Sequence, residues 1–414
     1  MTASDNEHQP PQPPRRAGAD QKKKKRRYPG PLGITIAVVI VLIMAFVYAT
    51  QVYTDWLWFN QLGFGSVFTT EILLQSSIFV VTALVVAVPF WASMSYAIKH
   101  ADHDDSQAKK DAKNADKSEE QARHETSKAG PHERHTTTEH EHTEAEDLLR
   151  DMFGGRDFTD SMARYRRGME RIRKILLVIL PIALGFFIGS AGISQWQTVA
   201  LFLNRQDFGV QDPEFGLDVG FFVFTLPFLN LVVNLLTAVI VLCAIGGAIM
   251  HYFYGGIKVR PGGVGTSAAF RRHAAVLACA FLLVRGAAFW LERYTAVQQQ
   301  SGRWAGAMYT DTNAIIPVRS ILAISAVLVA VLFLATASAH RWRLPLVGTA
   351  MLVVVALVAG GLYPWIVQRF QVVPNEQAAQ SQFIQRNIDA TRYAYGLDKV
   401  ETTPYDATID TRQG

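Results

Sequence analysis

Two long apolar runs joined by a polar loop constrain this chain more than any other feature. They lie between Ile175 and Met250, on either side of the loop at 195–220. A water-soluble domain does not need runs of this length, whereas a helix that crosses a bilayer needs roughly 17–25 apolar residues. The segment therefore predicts two membrane-spanning helices.

The same pattern recurs along the chain. Of the 414 residues 50% are hydrophobic, yet the mean hydropathy is only +0.13, because apolar blocks alternate with strongly polar ones. We therefore predict an all-α fold, a polytopic helical membrane bundle of about seven transmembrane helices. The apolar runs are Leu32–Tyr48, Ile72–Tyr96, Ile175–Ile193, Phe228–Met250, Ala274–Leu291, Ile321–Ala339 and Leu344–Ile366.

The distribution of Lys and Arg predicts the orientation of these helices. Residues 1–31, 97–174 and 251–273 are rich in Lys and Arg, whereas 49–71 has none and 194–227 has one. Loops with an excess of Lys and Arg stay on the cytoplasmic side. We therefore expect a multi-pass protein of the cell membrane with a cytoplasmic N-terminus and an extracytoplasmic C-terminus.

A basic cluster, Lys22–Arg27, lies just before the first apolar run. Beside a membrane span, anionic lipid headgroups are a simpler partner for such a cluster than nucleic acid. The alternative is that the cluster acts only as an orientation signal. We therefore predict the lipid bilayer as a partner and no binding to nucleic acid.

Composition divides the chain into five regions. The first arm and the charged insert after the second run are too polar to bury a core. Histidines from His124 to His142 leave open a metal-binding tract beside the alternative of a solvated linker. The regions are 1–31, a disordered basic cytoplasmic arm; 32–99, transmembrane helices 1–2; 100–163, a charged low-complexity cytoplasmic insert; 164–367, transmembrane helices 3–7; and 368–414, the start of an extracytoplasmic region.

Polar side chains inside the apolar runs are the first candidates for function. Arg285 lies well inside the fifth run, where an arginine costs roughly 2.5–3.5 kcal/mol on insertion scales. It either reaches the interface or pairs structurally, or it lines a transport path. Asn230 and Asn234 lie on one helix face because they are four residues apart. They form interhelical hydrogen bonds or line a hydrophilic path.

Four carboxylates in the loop before the fourth run form a second candidate group. They are Asp207, Asp212, Glu214 and Asp218. Carboxylates at this spacing can hold calcium, but no EF-hand pattern is present and the same residues form turns and caps. No nucleophile, zinc-protease or kinase motif occurs. The sequence therefore predicts no catalytic residue, cofactor or metal, and an enzyme is the less expected class.

Pairs of small residues predict where helices pack closely. Gly185 with Gly189, and Ala356 with Gly360, predict close packing, either between two copies or within one bundle, so the oligomeric state stays open.

In the tail, a helix is predicted to start at Asn375 and to stop at Gly396. Its apolar face needs a partner, so either an extracytoplasmic domain follows or the tail docks on the bundle.

Seven motifs carry a resemblance to a known family. They are Tyr53–Phe59 (YTDWLWF), Trp196–Val199 (WQTV), Asp212–Asp218 (DPEFGLD), His251–Gly256 (HYFYGG), Arg341–Pro345 (RWRLP), Gln368–Glu376 (QRFQVVPNE) and Arg386–Arg392 (RNIDATR). Together they resemble uncharacterised protein family 0182, a family of large, chiefly actinobacterial multi-pass membrane proteins. The resemblance covers about 53–405, apart from the insert at 100–147. It implies about seven crossings followed by a large extracytoplasmic region, so the chain resembles the N-terminal membrane part of a longer member. It implies no established activity and no catalytic residues.

Three functions follow as hypotheses. The first is a non-enzymatic membrane protein that anchors an extracytoplasmic module in the cell envelope, with an envelope protein as a further partner. The second is a transporter or channel that uses Arg285, Asn230 and Asn234. The third is a membrane enzyme acting on a lipid-linked substrate, which requires the loop carboxylates to converge.

Overall fold

The computed structural model describes residues 31–126, 176–260, 263–300, 305–336, 343–401 and 403–404. These ranges confirm the predicted all-α bundle, since seven helices are long and apolar enough to cross a membrane. Many large apolar side chains on these helices are exposed, as expected where the surrounding solvent is lipid. The chain divides into two compact units at Thr70.

The first unit holds helix α1, Pro31–Gln61, and the start of the next helix. The helix is apolar all round and continues 13 residues beyond the predicted end at Tyr48, so the aromatic segment Tyr53–Phe59 is helical. Gly63 makes the turn that follows, at a φ of +80° that only glycine adopts readily.

Helix α2, Gly65–Thr126, contains the second crossing and then continues into the charged insert. Over residues 101–126 the insert is helical, a conformation that neither of the two alternatives for it had specified. These residues are mostly Ala, Lys, Glu, Gln and Asp, and Ala, Lys, Glu and Gln are strong helix formers. The remainder of the insert, which includes most of the histidines of the proposed metal tract, lies outside the described residues, as does the basic arm at 1–30.

Helix α3, 176–192, packs closely against α2. A Cβ atom built on Gly185 would lie 2.8 Å from the carbonyl oxygen of Ala83, and one on Gly189 would lie 3.0 Å from that of Phe79. The first small-residue pair is therefore used within one chain. A short helix, α4, Trp196–Leu203, follows.

Helices α5, Leu226–Phe253, and α6, Ala268–Thr295, are joined by an antiparallel hairpin of β1, Ile257–Arg260, and β2, Gly263–Thr266. The Ser267 side chain caps α6 by accepting a hydrogen bond from the Phe270 N–H at 3.1 Å. We call the end of the bundle with this hairpin the hairpin end. The opposite end, with the loop 204–220, is the loop end.

The last crossings lead without a long loop into the tail. Helix α7, Ile316–Thr336, begins in a π-helical turn, and α8, Arg343–Leu357, follows it. A continuous helical run then leads to α10, Glu376–Ala394, and Gly396 ends it at a φ of +67°, as predicted. The elements between α8 and α10 are the π-turn Val358–Leu362, α9 at Tyr363–Ile366, the π-turn Val367–Val372 and the 3₁₀ turn Val373–Asn375.

Three apolar clusters hold the second unit together. One joins α2, α3, α5 and α6 around Met94 and Met250, and another joins α6, α7 and α8 around Leu322 and Phe333. The third lies under the loop 204–220, around Leu226. Lipid is as apolar as these side chains, so close packing and not water exclusion drives the association within a bilayer.

Candidate functional site

Two aspartates shape the loop at the loop end. The Asp218 carboxylate accepts hydrogen bonds from the backbone N–H groups of Phe208, Gly209 and Gly220 at 3.0, 2.8 and 2.7 Å. These bonds, that of Phe208 first, hold the pKa of Asp218 below its ordinary value of 3.8. The Asp212 carboxylate accepts from the N–H groups two and three residues ahead, at 3.0 and 2.8 Å. Both residues therefore organise turns.

The other two loop carboxylates have different surroundings. Asp207 is exposed, whereas Glu214 forms an ion pair with Arg386 at 3.0 Å. Across the described ranges, no three side chains of His, Cys, Asp or Glu come together as a metal site would require. The geometry thus gives Asp212 and Asp218 hydrogen bonds within the loop and Glu214 an ion pair with a distant segment, and it does not bring the four carboxylates to one point.

The Glu214–Arg386 pair belongs to a larger contact that attaches the tail helix α10 to the loop end. The Asn387 side-chain amide donates a hydrogen bond to the Ala305 carbonyl at 2.7 Å, and the Tyr309 N–H donates to the Gln380 side chain at 3.3 Å. Gln380 is only 2% exposed and Phe383, one turn later, is buried. The tail therefore docks on the bundle, which is one of the two alternatives left open by the sequence.

Arg285 lies in a cluster of two arginines and one carboxylate toward the loop end of α6. Its guanidinium is 3.5 Å from the Glu292 carboxylate, whose other oxygen lies 2.7 Å from Arg319 of α7. The Phe289 ring lies beneath both guanidiniums, with centroid distances of 4.8 and 5.8 Å, close enough for cation–π attraction. Glu292 and Arg319 carry no signal in the sequence, because both lie in the polar segment between the fifth and sixth apolar runs.

The two asparagines stand apart from this cluster. Asn230 is half-buried and Asn234 is exposed on α5, in the first turns after the loop end. In the described part of the chain neither side chain has a hydrogen bond, and nothing links them to Arg285. A shared path lined by Arg285, Asn230 and Asn234 therefore stays a prediction.

A polar cluster with no signature in the sequence lies at the hairpin end. The Ser93 hydroxyl donates to the Cys243 carbonyl at 2.8 Å and lies 3.2 Å from Nε2 of His273. The opposite nitrogen of His273, Nδ1, lies 3.3 Å from Nε2 of His251, which is 1% exposed. His251 and His273 each lie next to the end of an apolar run. A polar residue at such a position is expected at the boundary of a membrane helix, so the sequence does not indicate that the two rings meet.

Glycines create the room for these rings. A Cβ atom on Gly247 would lie 2.7 Å from the His273 ring, and one on Gly256 would lie 2.8 Å from the His251 ring. Both contacts are shorter than packed atoms tolerate, so neither position accepts a side chain without movement. The motif His251–Gly256 (HYFYGG) thus contains both a buried ring and the glycine that makes space for it.

Comparison with known proteins identifies the family. The profile of Uncharacterised protein family (UPF0182) matches residues 32–414. The chain belongs to family UPF0182. It is 43% identical over 385 residues to a UPF0182 protein of Kocuria rhizophila, and 42% identical over 385 residues to one of Arthrobacter sp.. A UPF0182 protein of Leifsonia xyli is 33% identical over 382 residues.

These alignments cover 92–93% of the chain but only 34% of each of the three UPF0182 relatives. The chain thus spans about a third of the length of the curated relatives it matches. No solved structure matches it. Membership of UPF0182 therefore identifies the lineage and supplies no activity.

Proposed function

We propose that this chain is the membrane part of a UPF0182 protein and that it anchors and positions an extracytoplasmic region in the cell envelope. The observation that carries the proposal is the attachment of the tail helix α10 to the loop end by Arg386, Asn387 and Gln380. A chain that merely left the membrane would need no such contacts, since a flexible linker would suffice.

Orientation and length support the same proposal. The Lys and Arg distribution favours an orientation with the hairpin end in the cytoplasm and the loop end outside, and in this orientation α10 lies at the extracytoplasmic face. The relatives are about three times longer than the chain. Because the tail helix α10 is held against the bundle, it fixes the direction in which the additional region leaves the cell membrane.

The other two hypotheses receive less support from the geometry. Arg285 is neutralised in part by Glu292 and interacts with an aromatic ring, which is a structural use of the charge. An enzyme that uses the loop carboxylates would need them free and convergent, but Asp212 and Asp218 accept backbone hydrogen bonds.

Cysteine crosslinking tests the attachment and the orientation together. In a background with Cys243→Ala and Cys279→Ala, Ala305→Cys and Asn387→Cys are treated in intact cells with a short membrane-impermeant bismaleimide. Because the Asn387 side chain contacts the Ala305 backbone carbonyl at 2.7 Å, we expect an intramolecular crosslink, detected after proteolytic cleavage between the two positions. Arg392→Cys replaces Asn387→Cys in the matched control and should not crosslink, since five residues turn it to another face of the helix.

A charge reversal checks that the ion pair holds the helix. Arg386→Glu should lower the crosslinking yield because it faces Glu214, and adding Glu214→Arg should restore it. The proposal is wrong if the crosslink never forms, or if it forms only with a membrane-permeant reagent, since α10 would then lie free or on the cytoplasmic side.

A further inference from the structure

The arginine cluster at the loop end is not electrically balanced. Arg285 and Arg319 share one carboxylate, that of Glu292, and within the described residues no other acidic side chain lies within 4 Å of either arginine. The three side chains are each 32% exposed. A net charge of about +1 at the border of a hydrocarbon region is costly, so the cluster favours an additional anion.

An apolar cleft lies on the same side of α6. It occupies about 370 Å³ between α5 and α6 and is walled by apolar residues, with His251 and His273 at its hairpin end. This volume is within the range of roughly 300–1,000 Å³ typical of ligand sites. Val241 and Ile245, on its α5 wall, are 40% and 53% exposed, so the cleft opens to the surface of the bundle.

The spacing along α6 connects the cleft to the cluster. Ala274, Ala278 and Phe281 line the cleft, and Arg285 and Glu292 follow at intervals of four and seven residues. Residues at such intervals lie on one face of a helix. Phe281 and Arg285 are one turn apart, about 6 Å along the axis. The apolar cleft and the cationic cluster therefore form one continuous amphiphilic surface.

We propose that this surface binds an anionic phospholipid. The phosphate occupies the Arg285–Arg319 cluster, where two guanidiniums offer several N–H donors to one anion, and one acyl chain lies in the cleft toward His273. The charge argues for an acidic lipid and not a zwitterionic one, because a choline group would bring a cation to a site that already has an excess of positive charge. The apolar walls argue for a lipid and not for free phosphate.

The test measures bound lipid on the purified full chain by native mass spectrometry. Dioleoyl phosphatidylglycerol is compared with dioleoyl phosphatidylcholine, and we expect preferential retention of phosphatidylglycerol. Arg319→Gln should weaken its binding about tenfold, equivalent to about 1.4 kcal/mol, since it removes a charge-assisted hydrogen bond to the phosphate. The matched control is Arg293→Gln, which removes a cation from the same end of α6 but one that stacks on Trp290 at 4.1 Å.

A second variant tests the cleft without touching the charges. Ala244→Phe fills the α5 wall of the cleft, whereas Ala238→Phe adds the same bulk at an exposed position outside it. We expect loss of phosphatidylglycerol only with Ala244→Phe. This pair remains informative if Arg319→Gln does not fold, which a thermal melt of the purified protein would reveal.

Two outcomes would overturn the proposal. If dihexanoyl phosphatidylglycerol binds as tightly as the dioleoyl lipid, or inorganic phosphate displaces it, the site recognises a phosphate alone and the cleft holds no chain. If Arg319→Gln and Arg293→Gln retain the same amount of lipid, or both phenylalanine variants do, the surface has no special affinity for it.

Discussion

At the loop end, two ion pairs join separate elements, because Arg386 binds Glu214 and Arg319 binds Glu292. At the hairpin end, the polar contacts between elements are made by hydroxyl, carbonyl and imidazole groups, packed where Gly247 leaves room. Partly exposed ion pairs tolerate changes of volume but are weakened by salt. A close-packed cluster is insensitive to salt but is destabilised by added volume, because no space is left for extra atoms. The two ends should therefore fail under different perturbations.

The largest effect is expected from added volume at the hairpin end. Gly247→Ala places a Cβ atom 2.7 Å from the His273 ring and 2.9 Å from the Ser93 hydroxyl, so it should lower the free energy of unfolding by about 1–3 kcal/mol. Thermal unfolding in detergent measures this. Gly361→Ala is the control, since no atom lies within 4 Å of the Cβ built there. Equal losses in the two variants would show that the cluster is loosely packed.

A smaller effect is expected from a lost charge at the loop end. Glu292→Gln leaves the guanidiniums of Arg285 and Arg319 without their shared carboxylate, which should cost about 1 kcal/mol after allowance for solvent screening. Hydrogen exchange should increase near 285–320 and stay unchanged near His251. Asp207→Asn, which removes an exposed carboxylate, should change neither. Faster exchange at both ends with Glu292→Gln would mean that the two ends are one cooperative unit.

The smallest effect is a dependence on pH confined to the loop 204–220. The folded pKa of Asp218 lies below 3.8, so its ionised form stabilises the loop above pH 3.8, and this contribution is lost as the pH falls through the lower folded value. Limited proteolysis of the loop during an acid titration should detect the change. Asp218→Asn should cleave faster at neutral pH and lose part of this acid dependence. An unaltered acid profile in that variant would assign the dependence to another group.

Helix positions were predictable because each crossing has to be apolar over its whole length. The seven runs correspond to the seven helices, and Gly396 was identified as a stop by its conformational freedom alone. The ends were less predictable. Helix α1 passes through Tyr53 and Trp58 to Gln61, because aromatic residues at a membrane interface are compatible with both helix and loop.

The candidate sites were harder to predict, because they depend on contacts between distant segments. Arg285 was found as a charge in an apolar run, but its link through Glu292 to Arg319 depends on the packing of α6 against α7. Gly286 permits that packing, since its Cβ would lie 3.2 Å from the Ala323 carbonyl oxygen. A single sequence has no signal for such a pairing.

The two π-turns between α8 and α10 have a consequence for insertions and deletions. Each π-turn accommodates one residue more than a regular helical turn, and each helical residue rotates the chain by about 100°. Deleting one residue from Val367–Val372 would therefore restore a regular helical turn and leave Arg386 facing Glu214. Deleting one residue from the regular helix between Glu376 and Arg386 would instead rotate Arg386 by about that angle, away from Glu214. The number of residues between the π-turn and Arg386, as much as their chemistry, sets the direction in which α10 presents Arg386.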